Sequence, residues 1–184
     1  MPDGALSDAP DALLVSRSTE GDSRAFEVLL RRYSRMMRAY ARRLTGSDAD
    51  ADDVVQDAFI TAWNSLEALQ DAQMVKSWLM RIVSRKAIDL IRSRRSESGL
   101  DGWDVAGPAS VGPEYHALLH SQLTDVGKVL ASLPELQRQC WILKEIGGYS
   151  YQDIADELGA PLPTVRGALS RARISLVRGM EGWA

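Results

Sequence analysis

The sequence predicts an all-α protein: two small helical domains joined by a flexible linker. Three observations predict it. Apolar residues recur at three-and-four spacing through most of the chain, the signature of amphipathic helices. No stretch reads as a strand, and no internal repeat is present. Between 96 and 113 the periodicity stops in "SESGLDGWDVAGPASVGP", whose Gly, Ser, Asp and Pro content is that of a tether.

The first 20 residues, opening "MPDGALSDAPDALL", are acidic and read as a partly disordered lead-in. A helix over 23–44 then places Phe26, Leu29, Leu30, Tyr33, Met36, Met37, Tyr40 and Leu44 on one side. "GS" breaks it, and aspartates open the next helix, over about 50–69, where acids suit the positive end of the helix dipole. Val54, Val55, Ala58, Phe59, Ala62, Trp63 and Leu66 form its apolar face. A third helix, about 75–95, buries Trp78, Leu79, Ile82, Val83, Ile88 and Ile91. Beyond the linker, helices are expected over about 114–131, 134–146, 151–158 and 163–180, with Pro134 in a first turn.

Composition excludes several classes. Apolar residues make up 45% and charged residues 26%, ordinary for a globular chain. No apolar run approaches the ~18 residues of a membrane span, and no signal peptide opens the chain, so a cytoplasmic protein without direct membrane insertion is expected. The single cysteine, Cys140, fits a reducing compartment and sits in "RQCWILKE" as a core residue. There is no nucleophile elbow, P-loop or Gly-rich phosphate fingerprint, so neither a catalytic site nor a small-molecule substrate is expected. His116 and His120 lie four apart without a third ligand, so neither a metal nor a cofactor is expected.

Net charge is -3, but the charge is segregated. Residues 48–57 hold five aspartates and no base; residues 76–95 hold seven bases against one acid; residues 164–178 hold four arginines and no acid. Such a chain can bind DNA with one surface and a protein with another.

"YSYQDIADELGAPLPTVRGALSRARISL" has the anatomy of a helix-turn-helix. Ser150 can cap the first helix, with Asp153 three residues on. Ile154, Ala155 and Leu158 supply its buried face, and Gly159 can take the left-handed conformation that ends it. The second helix opens near Pro163, where a missing N–H costs nothing, and turns Val165, Leu169, Ala172 and Leu176 inward. Arg166, Ser170 and Arg173 form one outward stripe; Gly167, Arg171 and Arg178 form the next. Arginine can bond phosphate, or the guanine edge bidentately. In "DADADDVVQDAFITAW", Asp53, Gln56, Asp57 and Ile60 share an outward face; without a nearby histidine or an EF-hand spacing this reads as a docking surface for a basic partner. In "KSWLMRIVSRKAIDLIRSRR", Arg81, Arg85, Lys86, Arg92, Arg94 and Arg95 exceed what a helix C-terminus needs and read as a DNA backbone track.

These pieces, in this order, resemble an extracytoplasmic-function sigma factor of the bacterial sigma-70 family, from about residue 21 to 180. "GDSRAFEVLLRRYSRMMRAYARRLTG" resembles region 2.1, "DADDVVQDAFITAW" region 2.2 with its Asp-x-x-Gln core, and "WLMRIVSRKAIDLIRSRR" regions 2.3 to 2.4. The stretch from "LPELQRQCWILKEIGGYS" to "RGALSRAR" resembles region 4. The resemblance implies region 2 over 21–95, the acidic linker over 96–113 and region 4 over 114–184. It implies core RNA polymerase as a partner, contacted by Asp53, Gln56, Asp57 and Ile60. It implies promoter DNA as the second partner: the minus-ten element at Leu69, Gln70, Asp71, Lys76, Arg81, Ser84, Arg85, Lys86 and Arg92, with a flipped base held by the segment 68–76. The minus-thirty-five element would meet Thr164, Arg166, Gly167, Ser170, Arg171 and Arg173. An anti-sigma factor is the third implied partner.

The chain departs from the family pattern at four places. Arg85 stands where Asn is usual, Leu69 where an aromatic is often found, Pro163 where Gly is usual, and Gly167-Ala168 where Ser-Arg is frequent. The last departure thins base readout and shifts it to Arg166, Ser170 and Arg171. A rival reading is a stand-alone two-domain helix-turn-helix regulator; a small metal-dependent helical enzyme is a third.

Overall fold

A computed structural model describes residues 4–97 and 125–181, and every element among them is helical. The chain divides into two compact units, Met1–Leu90 and Ile91–Ala184. The expected linker from 98 onward, residues 114–124 of the expected first helix after it, His116 and His120 all lie outside the described residues.

In the first unit the helices are α1 (Gly4–Ser7), α2 (Asp11–Thr19), α3 (Ser23–Thr45) and α4 (Asp48–Ser65). Two 3-10 turns, Leu66–Ala68 and Ala72–Met74, then lead into α5 (Val75–Glu97), which starts in this unit and runs on past Leu90. α3 begins where the Asp22 carboxylate accepts from the N–H groups of Arg24 and Ala25, at 3.1 and 3.3 Å. It ends at Gly46, whose φ of 79° only glycine adopts without strain. Ser47 caps α4 by accepting from Asp50 N–H at 3.3 Å. This tight connection folds α4 back along α3, and the two share the most extensive helix contact in the unit. Phe26, Leu29, Met37 and Leu44 of α3 and Val54, Val55, Ala58 and Ala62 of α4 are buried, as their spacing predicts. Leu79, Val83, Ile88 and Ile91 of α5 are buried too, whereas Trp78 and Ile82, also expected inside, are only half-buried.

Two expectations are corrected here. The lead-in is not loose over its described part: α1 and α2 form, and Leu6, Ala9, Leu14 and Val15 are buried. Trp63 lies at the edge of the α4 apolar face and remains 40% exposed, its ring edge-on to Phe26 at 4.9 Å.

In the second unit the helices are α6 (Asp125–Ser132), α7 (Glu135–Trp141), α8 (Tyr151–Leu158) and α9 (Leu162–Glu181). Pro134 precedes the first turn of α7 rather than lying in it. The single helix expected over 134–146 instead ends in a π-helical turn, Ile142–Ile146, closed by Gly147 N–H on Ile142 C=O at 3.0 Å. Ile142 and Leu143 are both fully buried. Leu130 and Leu133 pack with Ala172 and Leu176 of α9, flanked by Val129 and Trp141.

Two predictions come from this packing. A Cβ on Gly179 would lie 2.7 Å from a Val129 methyl, so α9 touches α6 through a bare backbone. Gly179→Ala gains about 1 kcal/mol of helix propensity. It meets an overpacking cost of about 1–3 kcal/mol. The urea midpoint should therefore fall, and Val129→Ala in the same chain should restore it. Cys140 is fully buried, and burial pushes its thiol up to about 12. At about pH 8 iodoacetamide should leave the folded protein unlabelled and modify it only in denaturant, as read by intact mass.

Candidate nucleic-acid and protein interfaces

The five aspartates at the start of α4 have three different fates. Asp48 is bonded by Arg38 and Arg42 of α3, at 3.0 and 3.2 Å, and Asp52 by Arg38. Arg38 holds the Asp52 carboxyl below its ordinary range and is itself raised. Asp50 is buried. Only Asp53 and Asp57 are left exposed without an ion pair among the described residues. With exposed Gln56 and Ile60 they occupy successive turns of one face, acidic toward the N-terminus of α4 and apolar toward Ile60, which is 55% exposed. The structure thus brings together all four residues expected to dock a protein.

The 3-10 turns after α4 set a short irregular segment beside α5. Leu69 is half-buried, and Gln70 and Asp71 are exposed. The Asp71 carboxylate is partly engaged, accepting from Gln73 N–H at 2.9 Å to cap the second turn. Lys76, Arg81, Arg85 and Arg92 are exposed along α5, and Lys86 is half-buried. Ser84 corrects the expectation of a DNA contact. It is buried, and its hydroxyl is hydrogen bonded to that of Tyr40 at 3.0 Å, joining α5 to α3. A small polar residue flanked by bases looks exposed in the sequence; its partner lies 44 residues away.

The helix-turn-helix forms as expected. Ser150 Oγ accepts from Asp153 N–H at 3.0 Å, and the Asp153 carboxylate accepts from Ser150 N–H at 2.9 Å, closing a capping box. Those bonds hold the Asp153 carboxyl below its usual range. Gly159 ends α8 with φ 64°, and Ala160 N–H reaches back to Ala155 C=O at 2.9 Å. Pro163 is the second residue of α9, where no intrahelical N–H bond is lost.

On α9, Arg166, Ser170, Arg171 and Arg173 are exposed, and Thr164 and Gly167 are half-buried. Ala168 is fully buried with Val165, Leu169 and Ala172, so it packs the core instead of leaving a gap in a reading face. Gly167 has a different role. A Cβ there would lie 3.3 Å from the Arg171 guanidinium, so its bareness lets Arg171 lie along the helix. Arg173 donates to Glu145 at 2.8 Å and also engages the Tyr151 hydroxyl, and these bonds raise its pKa. Neither Glu145 nor Tyr151 was singled out in the sequence; 28 positions separate Glu145 from the arginine it holds, and no spacing rule links them.

Among the described residues no group of three or more His, Cys, Asp or Glu side chains could hold a metal, and no helix is long and apolar enough to cross a membrane.

Comparison with known proteins agrees with this geometry. The Sigma-70 region 2 family model matches residues 29–97, and the Sigma-70 region 4 model matches residues 123–176. The RNA polymerase sigma factor CnrH of Cupriavidus metallidurans is 31% identical over 175 residues, covering 90% of this chain and 92% of its own. The ECF RNA polymerase sigma-E factor of Escherichia coli is 31% identical over 179 residues, covering 89% and 90%. Among solved structures, CnrH in complex with the cytosolic domain of CnrY matches with TM-score 0.53 and 28% identity, over 95% of this chain and 99% of that one. The sigma factor RpoE in complex with the anti-sigma factor NepR, from Bartonella quintana, matches with TM-score 0.53 and 29% identity, over 86% and 98%. A stand-alone regulator is not favoured. With both regions matched in order and relatives aligned over nearly their whole length, the chain belongs to the extracytoplasmic-function sigma factors of the sigma-70 family, which direct promoter-specific transcription by RNA polymerase.

Proposed function

We propose that the α4 face of Asp53, Gln56, Asp57 and Ile60 docks on the clamp helices of core RNA polymerase. The observation that carries this reading is the sorting of the aspartates: Asp48 and Asp52 are spent on α3, while Asp53 and Asp57 keep their charge for an outside partner. Residues 21–95 then act as region 2. Leu69, Gln70 and Asp71 hold a base flipped from the minus-ten element, and Lys76, Arg81, Arg85, Lys86 and Arg92 follow the DNA backbone. Residues 114–184 act as region 4. Arg166, Ser170 and Arg171 reach the minus-thirty-five element, with Thr164 and Gly167 at the groove wall and Arg173 steadied by Glu145. The chain performs no chemistry itself; the polymerase makes the bonds. It works in the cytoplasm, and an anti-sigma partner is supported by the relatives whose structures hold CnrY and NepR.

Run-off transcription with core polymerase and purified protein on genomic fragments tests the whole reading, and tight promoter binding without initiation would sink it. Asp53→Arg should weaken co-purification with core polymerase at least tenfold while circular dichroism stays unchanged. At a promoter found by run-off, Arg166→Ala and Arg171→Ala should each lower initiation by about 5–150-fold, the loss expected from one base contact of about 1–3 kcal/mol. If neither does, α9 is not the reader.

A further inference from the structure

The structure assigns Asp11 a positioning role: it latches α2 against the segment between Leu66 and Met74, and so shapes the segment proposed to hold the flipped base. This inference rests on the proposed base-holding role of that segment.

Asp11 opens α2, and its carboxylate serves two donors from α3. One oxygen accepts from the Arg32 guanidinium and the other from the Tyr33 hydroxyl. Arg32 spends its second terminal nitrogen on the carbonyls of Ser7 and Ala9, 2.9 Å from each. Two consecutive side chains of α3 therefore hold both the entry to α2 and its first residue. Burial and Asp11 push the Tyr33 hydroxyl up to about 12, so it remains a donor at any physiological pH.

The buried side of α2 carries Leu14, Val15 and Ser18, and Ser18 turns its hydroxyl back to Leu14 C=O at 2.6 Å. That side meets more than α3: α2 also packs against both 3-10 turns, Leu66–Ala68 and Ala72–Met74. Those turns have little stability of their own. Each is three residues long, and the hydrogen bonds that shape them are few: Leu69 N–H to Leu66 C=O, Met74 N–H to Asp71 C=O, Val75 N–H to Ala72 C=O, and Gln73 N–H to the Asp71 carboxylate. Leu69 and Asp71 between them are extended. A segment with so few internal bonds takes its shape from what it rests on, and α2 is a helix it rests on. The Asp11 carboxylate is bonded to Arg32 and Tyr33, neither of them proposed to meet DNA, so its effect passes through α2.

The test uses holoenzyme assembled from core polymerase and the full chain. The probe is a labelled single-stranded oligonucleotide of the minus-ten non-template strand, intact or with one abasic nucleotide at successive positions. Wild-type holoenzyme should bind the intact strand about tenfold more tightly than the strand abasic at the flipped position. Asp11→Ala should bring that ratio close to one while affinity for core polymerase and for minus-thirty-five duplex stays unchanged. Tyr33→Phe removes one of the two donors and keeps the ring in the core, so it should lower the ratio part of the way; it carries the test if Asp11→Ala does not fold. A wild-type ratio retained by both variants overturns the latch alone. A loss of core affinity equal to the loss of strand affinity overturns the positioning role, because the change then acts on the whole unit. A wild-type holoenzyme indifferent to the missing base at every position overturns the base-holding reading and this inference with it.

Discussion

Arg38 and Arg42 reach from α3 to the first turns of α4, and by taking Asp48 and Asp52 they decide which acids α4 can show. The attraction between such partly exposed groups adds little stability. What holds the two helices is the apolar seam from Phe26 to Leu44 against Val54 to Ala62, closed by the Gly46–Ser47 connection. The ion pairs act on register. A slide of α4 by one turn would break them and bring a different set of aspartates to the outside. Every later surface of the unit inherits that register: Asp53 and Asp57 face out, the 3-10 turns follow at the far end of α4, and α5 starts from them.

In the second unit the comparable constraint is the pair of helix ends at Ser150 and Gly159. The capping box starts α8 at one fixed residue, and the left-handed glycine stops it eight residues later. The angle at which α9 leaves is then set by backbone, and Val165, Ala168, Leu169 and Ala172 seat it. Two of the arginines on this face are placed by their surroundings. Arg171 lies along its own helix over Gly167, and Arg173 is held by Glu145. Arg166, Ser170 and Arg171 are thus the exposed polar side chains this face keeps, and the proposed reading of the minus-thirty-five element rests on them.

Where the sequence was readable, the signal was local. Helical spacing located α3 almost to the residue, and Ser150, Asp153 and Gly159 marked both ends of α8, because caps and periodicity act within a few positions. What escaped depends on distant partners. Ser84 is buried because Tyr40 offers it a hydroxyl. α2 begins after Pro10 with no side-chain cap, and its anchor, Asp11, is held by Arg32 and Tyr33 on another helix. Beside Gly167 in the sequence, Ala168 looks like a missing contact, yet helical geometry turns it inward next to Val165 and Leu169. That α4 shows an acidic outer face was legible in the sequence, but the division of its aspartates between inside and outside was not, since Arg38 and Arg42 come from the preceding helix.

Trp63 belongs to two surfaces at once. One edge of the ring packs on Phe26 in the core, while the rest stands exposed a turn beyond Ile60. A substitution there changes the grip of α4 on α3 together with whatever the outer face touches, so the two properties cannot drift apart at that position. Ile60 and Gln56 carry no such double duty. Change on the outer face of α4 is therefore channelled toward Gln56 and Ile60, and Trp63 is pinned by the fold it helps to hold.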